Sequence, residues 1–277
     1  MSIHYPKASW RLVITEPSSG AWNMALDEAL LESVSNYHVL PTLRLFYWNP
    51  PCLSLGHAQT YKSLDLDSIK SRGWDLVRRP TGGKAILHTD EITYSVIAPI
   101  DEPRVKGSIL ESYQSISNVL IHALKFLGIQ ANADSIYSND QPSSHQPVCF
   151  ETPSNYEITV EGKKILGSAQ MRKHQSVLQH GSLPISGDLT RINKAFSWES
   201  VSSRIEANQR LLSHATTLEQ ILGKVVLCAV IQKVLISSFE KCWNISFRLQ
   251  NPSDQEIARA RILIEEKYGN SNWTFRV

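Results

Sequence analysis

A chain of 277 residues, 42% hydrophobic and 19% charged, carries enough apolar side chains for a full core and has the length of one large domain or two small ones. Its net charge of +2, with no dense Lys/Arg run, argues against a nucleic-acid binder, because phosphate neutralisation needs a concentrated basic patch. The opening "MSIHYPKASWRLVITE" lacks a secretory pattern, Lys224 and Lys233 interrupt the most apolar later segment before it could cross a bilayer, and four cysteines without Cys-x-x-Cys or zinc spacing fit a reducing cytoplasm.

In chain order, "SWRLVIT" reads as a first strand. "SSGAWNMALDEALLESV" then puts Trp22, Leu26, Ala29, Leu30 and Val34 at helical spacing, with the acidic residues outside this stripe. "TLRLFYW" and "PCLSLG" are short strands divided by Asn49, Pro50 and Pro51, and "GWDLVRRP", "GGKAILH" and "ITYSVIAP" continue a β-rich front half. "SILESYQSISNVLIHALKFLGI" is the clearest helix: Ile109, Tyr113, Ile116, Leu120, Leu124 and Leu127 line one side, Ser108 and Glu111 form a capping box, and Gly128 ends it. Residues 131–148 are polar, turn-forming and without period, so a long loop is expected, leading directly to Cys149.

"NYEITV", "KKILGSAQ" and "SVLQHGSLPI" read as an antiparallel meander whose first two strands are joined by a tight turn at Glu161-Gly162. Strict alternation puts Lys164, Leu166 and Ser168 on one face of the middle strand, opposite Ile165 and Gly167. Short helical pieces over 188–214 precede two last helices with capping boxes, Thr217 to Gln220 and Ser253 to Glu256, and "NWTFRV" reads as a closing strand. Strands grouped before, between and after helices predict an α+β class, with mixed, largely antiparallel sheets covered by helices. One domain is expected over 1–277, with its core at about 23–249 and a helical and strand extension at 250–277.

Two stretches are chemically dense. In "VRRPTGGKAILH" adjacent glycines after a strand let backbone approach a ligand, while Arg78, Arg79 and Lys84 bring positive charge to the edge; no P-loop or dinucleotide fingerprint is present, and a hairpin turn with a solvated rim is the plain alternative. In "QPVCFETPSNYEITVEGKKILGSAQ", Cys149 is a candidate nucleophile and Lys164 the cation that a thiolate wants nearby. A lone cysteine is more often a small core hydrophobe, the reading kept for Cys52, Cys228 and Cys242, and His145 and His180 are rival bases that spacing alone does not rank.

"RRPTGGKAILH", "GKKILGSAQ" and "LQHGSL", preceded by "NMALDEALL" and "LRLFYWNPPCLSLGHAQ", resemble in order the catalytic domain shared by biotin ligases, lipoate–protein ligases and the octanoyltransferases of lipoate assembly. The fold implied is the biotin/lipoate–protein ligase catalytic-domain type. "PVCFETPSNYEITVEGKKILGSAQ" is similar to the octanoyltransferase branch, in which a cysteine upstream of the motif lysine carries the acyl group. The resemblance implies that Cys149 forms an acyl-thioester and Lys164 governs its ionisation. Arg79, Gly82, Gly83 and His88 would line the acyl pocket or its mouth, with Gly167, Ser168, Ala169, His180 and Gly181 as the opposite wall. Lys84 departs from the family pattern, which carries arginine or glycine after "TGG".

The implied donor is octanoyl-acyl carrier protein. The implied acceptor is the lipoyl domain of the glycine-cleavage H protein or of dehydrogenase E2 subunits. No cofactor, metal, nucleic acid or membrane is expected. An ATP-dependent lipoate–protein ligase acting through an acyl-adenylate is the alternative.

Overall fold

The computed structural model describes residues 4–36, 39–134, 148 and 157–277. Its strands are β1 (Ala8–Ile14), β2 (Thr42–Phe46), β3 (Cys52–Leu55), β4 (Asp75–Arg78), β5 (Ile86–His88), β6 (Glu91–Pro99), β7 (Asn132–Asp134), β8 (Glu157–Val160), β9 (Lys163–Lys173), β10 (Ser176–Pro184) and β11 (Ile245–Leu249). Eight of them make one sheet in the order β11-β1-β2-β6-β10-β9-β8-β7, and β4-β3-β5 make a second. Only β1 with β11, β1 with β2 and β3 with β4 pair in parallel, so the expected mixed, largely antiparallel character is what these segments adopt.

Helices cover both faces of the large sheet, so its central strands β6 and β10 are buried along their whole length. On one face α3 (Ile109–Phe126) and α6 (Cys228–Trp243) enclose a core containing Tyr94, Ile116, Leu120, Ile158, Leu166 and Phe239. On the other, α1 (Gly20–Ser35) and α7 (Asp254–Leu263) pack over Phe46, Ile97 and Leu178. The capping box that starts α3 forms as read, with Ser108 Oγ accepting from the Glu111 amide and Glu111 Oε2 accepting from the Ser108 amide.

Elsewhere the local reading needs correction. The acidic residues of α1 are not outside its buried stripe: Asp27 and Glu28 are themselves buried, because each meets its own cations. The helix expected from Thr217 is two, α5 (Leu218–Leu222) and α6, since Gly223 takes a left-handed conformation at φ 66° that ends the first. Between 188 and 214 the chain forms a 3-10 stretch, Leu189–Ala195, and one full helix, α4 (Val201–His214). Part of the loop expected over 131–148 is strand β7, and most of the remainder lies outside the described residues. "NWTFRV" is not a strand: Asn270 caps a short helix, α8 (Ser271–Thr274), whose Trp273 indole donates to the Arg78 carbonyl at 2.8 Å.

Two tight turns build the meander. Glu161 and Gly162 join β8 to β9, and His174 and Gln175 join β9 to β10, with φ of 51°, 76°, 52° and 58°; positive φ at both central residues is the geometry that matches strand twist in two-residue hairpins.

The C-terminal segment is held to the sheet by Glu28, which receives Lys173 at 2.9 Å, Lys267 at 2.6 Å and the Tyr268 hydroxyl. Burial opposes ionisation of this carboxyl, but the donors outweigh it and bring it from 4.5 down to about 2. A carboxyl lowered on folding stabilises above its unfolded value, and that stability is lost as pH falls through the folded one. Urea titrations of wild type and Glu28→Gln should therefore differ by roughly 3 kcal/mol at neutral pH, and the gap should close as pH falls from about 5 toward 2. A gap independent of pH would remove the carboxylate from the account. Among the described residues no helix is long and apolar enough to cross a membrane.

Candidate active site

Lys164 reaches the site through an irregularity in β9. Across the β8–β9 hairpin Ile158 pairs with Leu166 but Thr159 pairs with Lys164, so Ile165 is an extra residue and the register shifts there. Adjacent residues of β8 point to opposite faces, so their partners Leu166 and Lys164 do too. Leu166 and Ile158 lie in the core under α3, and the Ser168 hydroxyl bonds to Tyr94 on that side at 2.7 Å. Lys164 therefore shares the α1 face with Gly167 and Ala169, not with Leu166 and Ser168 as strict alternation predicts. There it is buried and pairs with Glu157 at 2.5 Å, and its carbonyl accepts from the Thr216 amide at 3.0 Å.

Farther along this face, β6 and β10 present polar side chains that satisfy one another. Glu91 Oε1 accepts from His88 Nδ1 at 2.6 Å and from the Thr93 and Ser182 hydroxyls at 2.8 Å each; His88 Nε2 lies 2.8 Å from Ser54 Oγ. The His88 ring stacks on Trp48, centroids 3.9 Å apart, and Trp48 donates to Thr93 at 2.8 Å.

A second relay runs alongside. Asp27 accepts from His180 Nδ1 at 3.1 Å, from Ser95 at 2.8 Å and from Arg44 at 2.7 Å, while His180 Nε2 meets the Thr81 hydroxyl at 2.6 Å. Burial pushes the His180 imidazolium down despite Asp27, so the ring is neutral near pH 7; burial would raise Asp27, but Arg44 and His180 hold it below the usual carboxylate range. With polar atoms turned toward each other, the walls offer the cavity mainly carbon. That cavity is narrow, about 30 Å³, and Met24 is the pliable side chain in its wall.

The glycine turn closes the other side. The Arg79 guanidinium donates to the carbonyls of Ser54 at 3.0 Å, Gly82 at 2.8 Å and Lys84 at 2.7 Å, fixing the turn from within. Gly83 needs its φ of 91°, and its carbonyl lies so close to Gly56 that a Cβ on Gly56 would sit 1.8 Å from it. Arg78 is buried and donates to the carbonyls of Gly56, Gln59 and Thr274, so it ties the turn to the C-terminus rather than charging a ligand-facing edge.

Of the residues singled out in the sequence, Arg79, Gly83, His88, Gly167, Ser168, Ala169, His180 and Gly181 surround this one cavity, while Gly82 lines the neighbouring groove. Lys164 lies three residues along β9 from Gly167, roughly 10 Å at 3.3 Å per residue. Cys149 and His145 fall outside the described residues. Their flanks are described: Val148 is buried and bridges Ala85, just after the glycine turn, and Glu157 meets Lys164. Cys52 is a core thiol whose ionisation burial opposes, Cys242 is half-buried, and Cys228 is exposed, against the core reading given to it. Sequence reasoning missed Glu157, Asp27, Glu91 and Ser54. The two-residue turn was the usable signal for Glu157, since it sets Lys164 opposite Thr159 and puts Glu157 on the same face.

The model of the lipoyl protein ligase A/B catalytic domain matches residues 19–240. An octanoyltransferase LipM of Carboxydothermus hydrogenoformans is 36% identical over 97% of this chain and 99% of its own length, and one of Moorella thermoacetica is 38% identical over 98% and 99%. Among solved structures, a bipartite lipoate protein ligase of Thermoplasma acidophilum superposes with a TM-score of 0.81 at 22% identity, covering 97% of this chain and 96% of its own. A lipoate-protein ligase A bound with ATP gives a TM-score of 0.78 at 23% identity, over 96% and 98%. At these identities the structural likeness concerns the fold alone.

Proposed function

Because the chain belongs to the lipoyl protein ligase A/B catalytic-domain family and, within it, to the octanoyltransferases named LipM, we propose that it transfers an octanoyl group from octanoyl-acyl carrier protein to the target lysine of a lipoyl domain, the glycine-cleavage H protein first, through a thioester on Cys149. The observation that carries this reading is the bulge at Ile165. It turns Lys164 to the face of the cavity, at the point where the segment bearing Cys149 rejoins the sheet at Glu157.

In the first step the Cys149 thiolate attacks the thioester carbonyl, a tetrahedral oxyanion forms and collapses, and the carrier's sulfur departs with a proton that the Lys164 ammonium supplies. In the second the acceptor amine attacks octanoyl-Cys149, its proton passes to neutral Lys164, and the Cys149 thiolate leaves as the amide forms. Thioester-to-thioester exchange is nearly thermoneutral and thioester-to-amide is downhill, so this scheme draws on no ATP. The slot between His88, His180 and the β9 glycine would take the hydrocarbon, at about 0.8 kcal/mol for each methylene buried. Glu157 holds the Lys164 amine in position through their ion pair.

The test is purified protein with octanoyl-acyl carrier protein and each apo acceptor, with and without ATP, followed by intact mass. One octanoyl group on the enzyme and then on the acceptor, independent of ATP, is the expected result. Transfer that requires free octanoate and ATP would establish the acyl-adenylate route instead.

A further inference from the structure

His57 and Lys173 line an open groove whose wall reaches the slot at Gly83. Along this rim four constant cations are joined by shared partners. Lys173 and Lys267 both meet Glu28, at 2.9 and 2.6 Å, while Lys267 Nζ and the Arg276 guanidinium both pack on the Trp273 ring, 4.4 and 4.0 Å from its centroid. Arg276 and Arg78 both donate to the His57 carbonyl, at 2.7 and 3.4 Å.

Their charge is not balanced locally. Among the described residues Glu28 is the one carboxylate these cations meet, and it is buried; the neighbouring acids Glu32 and Glu266 pair with Arg259. Burial pushes the His57 imidazolium down, and Arg276, Lys267 and Arg78 push it further; burial likewise opposes the Lys267 ammonium, which Glu28 favours and Lys173 and Arg276 disfavour. His57, Lys173 and Arg276 are exposed, so the excess faces solvent. A surface field of one sign attracts and orients a partner of the other.

Reach decides which protein substrate this rim serves. An acceptor lysine extends by about five bonds, roughly 6 Å, so its domain must press on the surface immediately round Lys164. The octanoyl group rides on the carrier's pantetheine arm, about fourteen bonds or roughly 17 Å, so the carrier's body stands off from the slot. Gly167, Ala169, Met171 and Lys173 share one face of β9, and the six residues from Gly167 in the slot wall to Lys173 span about 20 Å at 3.3 Å each. The cationic rim is therefore at arm's length from the slot, and farther still from Lys164.

We propose that the rim formed by His57, Lys173, Lys267 and Arg276 docks the acidic surface of the acyl carrier protein that brings the octanoyl group. This rests on the octanoyl-thioester reading and adds where the donor's protein part is held. The rim supplies encounter and orientation rather than chemistry, so its loss falls on the carrier-borne donor and spares a donor without the protein.

The experiment measures the second-order rate of Cys149 acylation by intact mass for octanoyl-acyl carrier protein and for octanoyl-pantetheine, which is neutral and lacks the protein. At low salt Arg276→Glu should slow the carrier-borne donor by about tenfold or more and the small donor by less than about twofold, and Arg276→Lys should keep the carrier rate within about threefold of wild type. Raising salt should slow wild-type acylation by the carrier steeply and by the small donor little, a readout that needs no variant. Equal slowing of both donors by Arg276→Glu, or a carrier rate indifferent to salt and to the substitution, overturns the docking surface and leaves the thioester reading standing. The second half-reaction separates the two protein substrates. Transfer from preformed octanoyl-Cys149 to an apo lipoyl domain should change by less than about twofold in Arg276→Glu, and a loss confined to that step overturns the carrier as occupant. If octanoyl-acyl carrier protein leaves wild-type Cys149 unmodified, the thioester reading fails first, and the docking surface with it.

Discussion

Replacing Cys149 with alanine should abolish octanoyl transfer, lowering turnover by about 10⁴-fold or more, and should leave no octanoyl group on the protein after exposure to the donor. The size follows from the chemistry. Without the sulfur, the acceptor amine must attack the carrier thioester directly, and at neutral pH a lysine amine is almost wholly protonated. The enzyme would also have to hold two macromolecular substrates at once, losing the proximity that a covalent intermediate supplies. Cys149→Ser sharpens the test: a serine hydroxyl is a far weaker nucleophile at this pH, and an oxyester once formed passes its acyl group to an amine less readily than a thioester does. The serine variant should therefore acylate slowly and stall, so a stable octanoyl adduct with little product marks Cys149 as the carrier of the group. An alanine variant with full activity would overturn the ping-pong scheme whatever its fold.

Much of the architecture was legible because it rests on local signals. The α3 capping box, the apolar side of that helix and the three strands of the meander are set by residues within a few positions of one another. The glycine turn and the two histidines were legible through motif order, and they do gather round one cavity. What escaped depends on pairing between distant segments. Asp27 and Glu28 look like solvent-facing acids until Arg44, Lys173 and Lys267 arrive from β2, β9 and the C-terminus to neutralise them. The second turn, His174-Gln175, lacks the Gly, Asn or Asp that advertises positive φ, so the fold imposes that geometry on residues with no preference for it. The bulge at Ile165 has no composition signature at all, yet it decides which face receives Lys164.

The bulge also makes the second large effect, at Lys164, one that needs a control. Lys164→Met should slow both acylation of Cys149 and transfer to the acceptor by about 10³-fold, within the range for loss of a positioned general acid–base group. The same change leaves Glu157 buried without its cation, which by itself costs about 3–5 kcal/mol, so part of any loss could come from weakened folding. Pairing it with Glu157→Gln removes both charges. The double variant should regain most of the lost stability in urea titrations while both chemical steps stay slow, separating the proton-transfer role from the structural one.

Glu157→Gln alone gives the complementary readout. Taking away the carboxylate removes the group that fixes the Lys164 ammonium in position, so both chemical steps should slow, though by less than in Lys164→Met. Unchanged rates alongside lost stability would make Glu157 a structural prop. Recovery of full rates in the double variant would show that Lys164 handles no proton, and the sulfur would then need another partner.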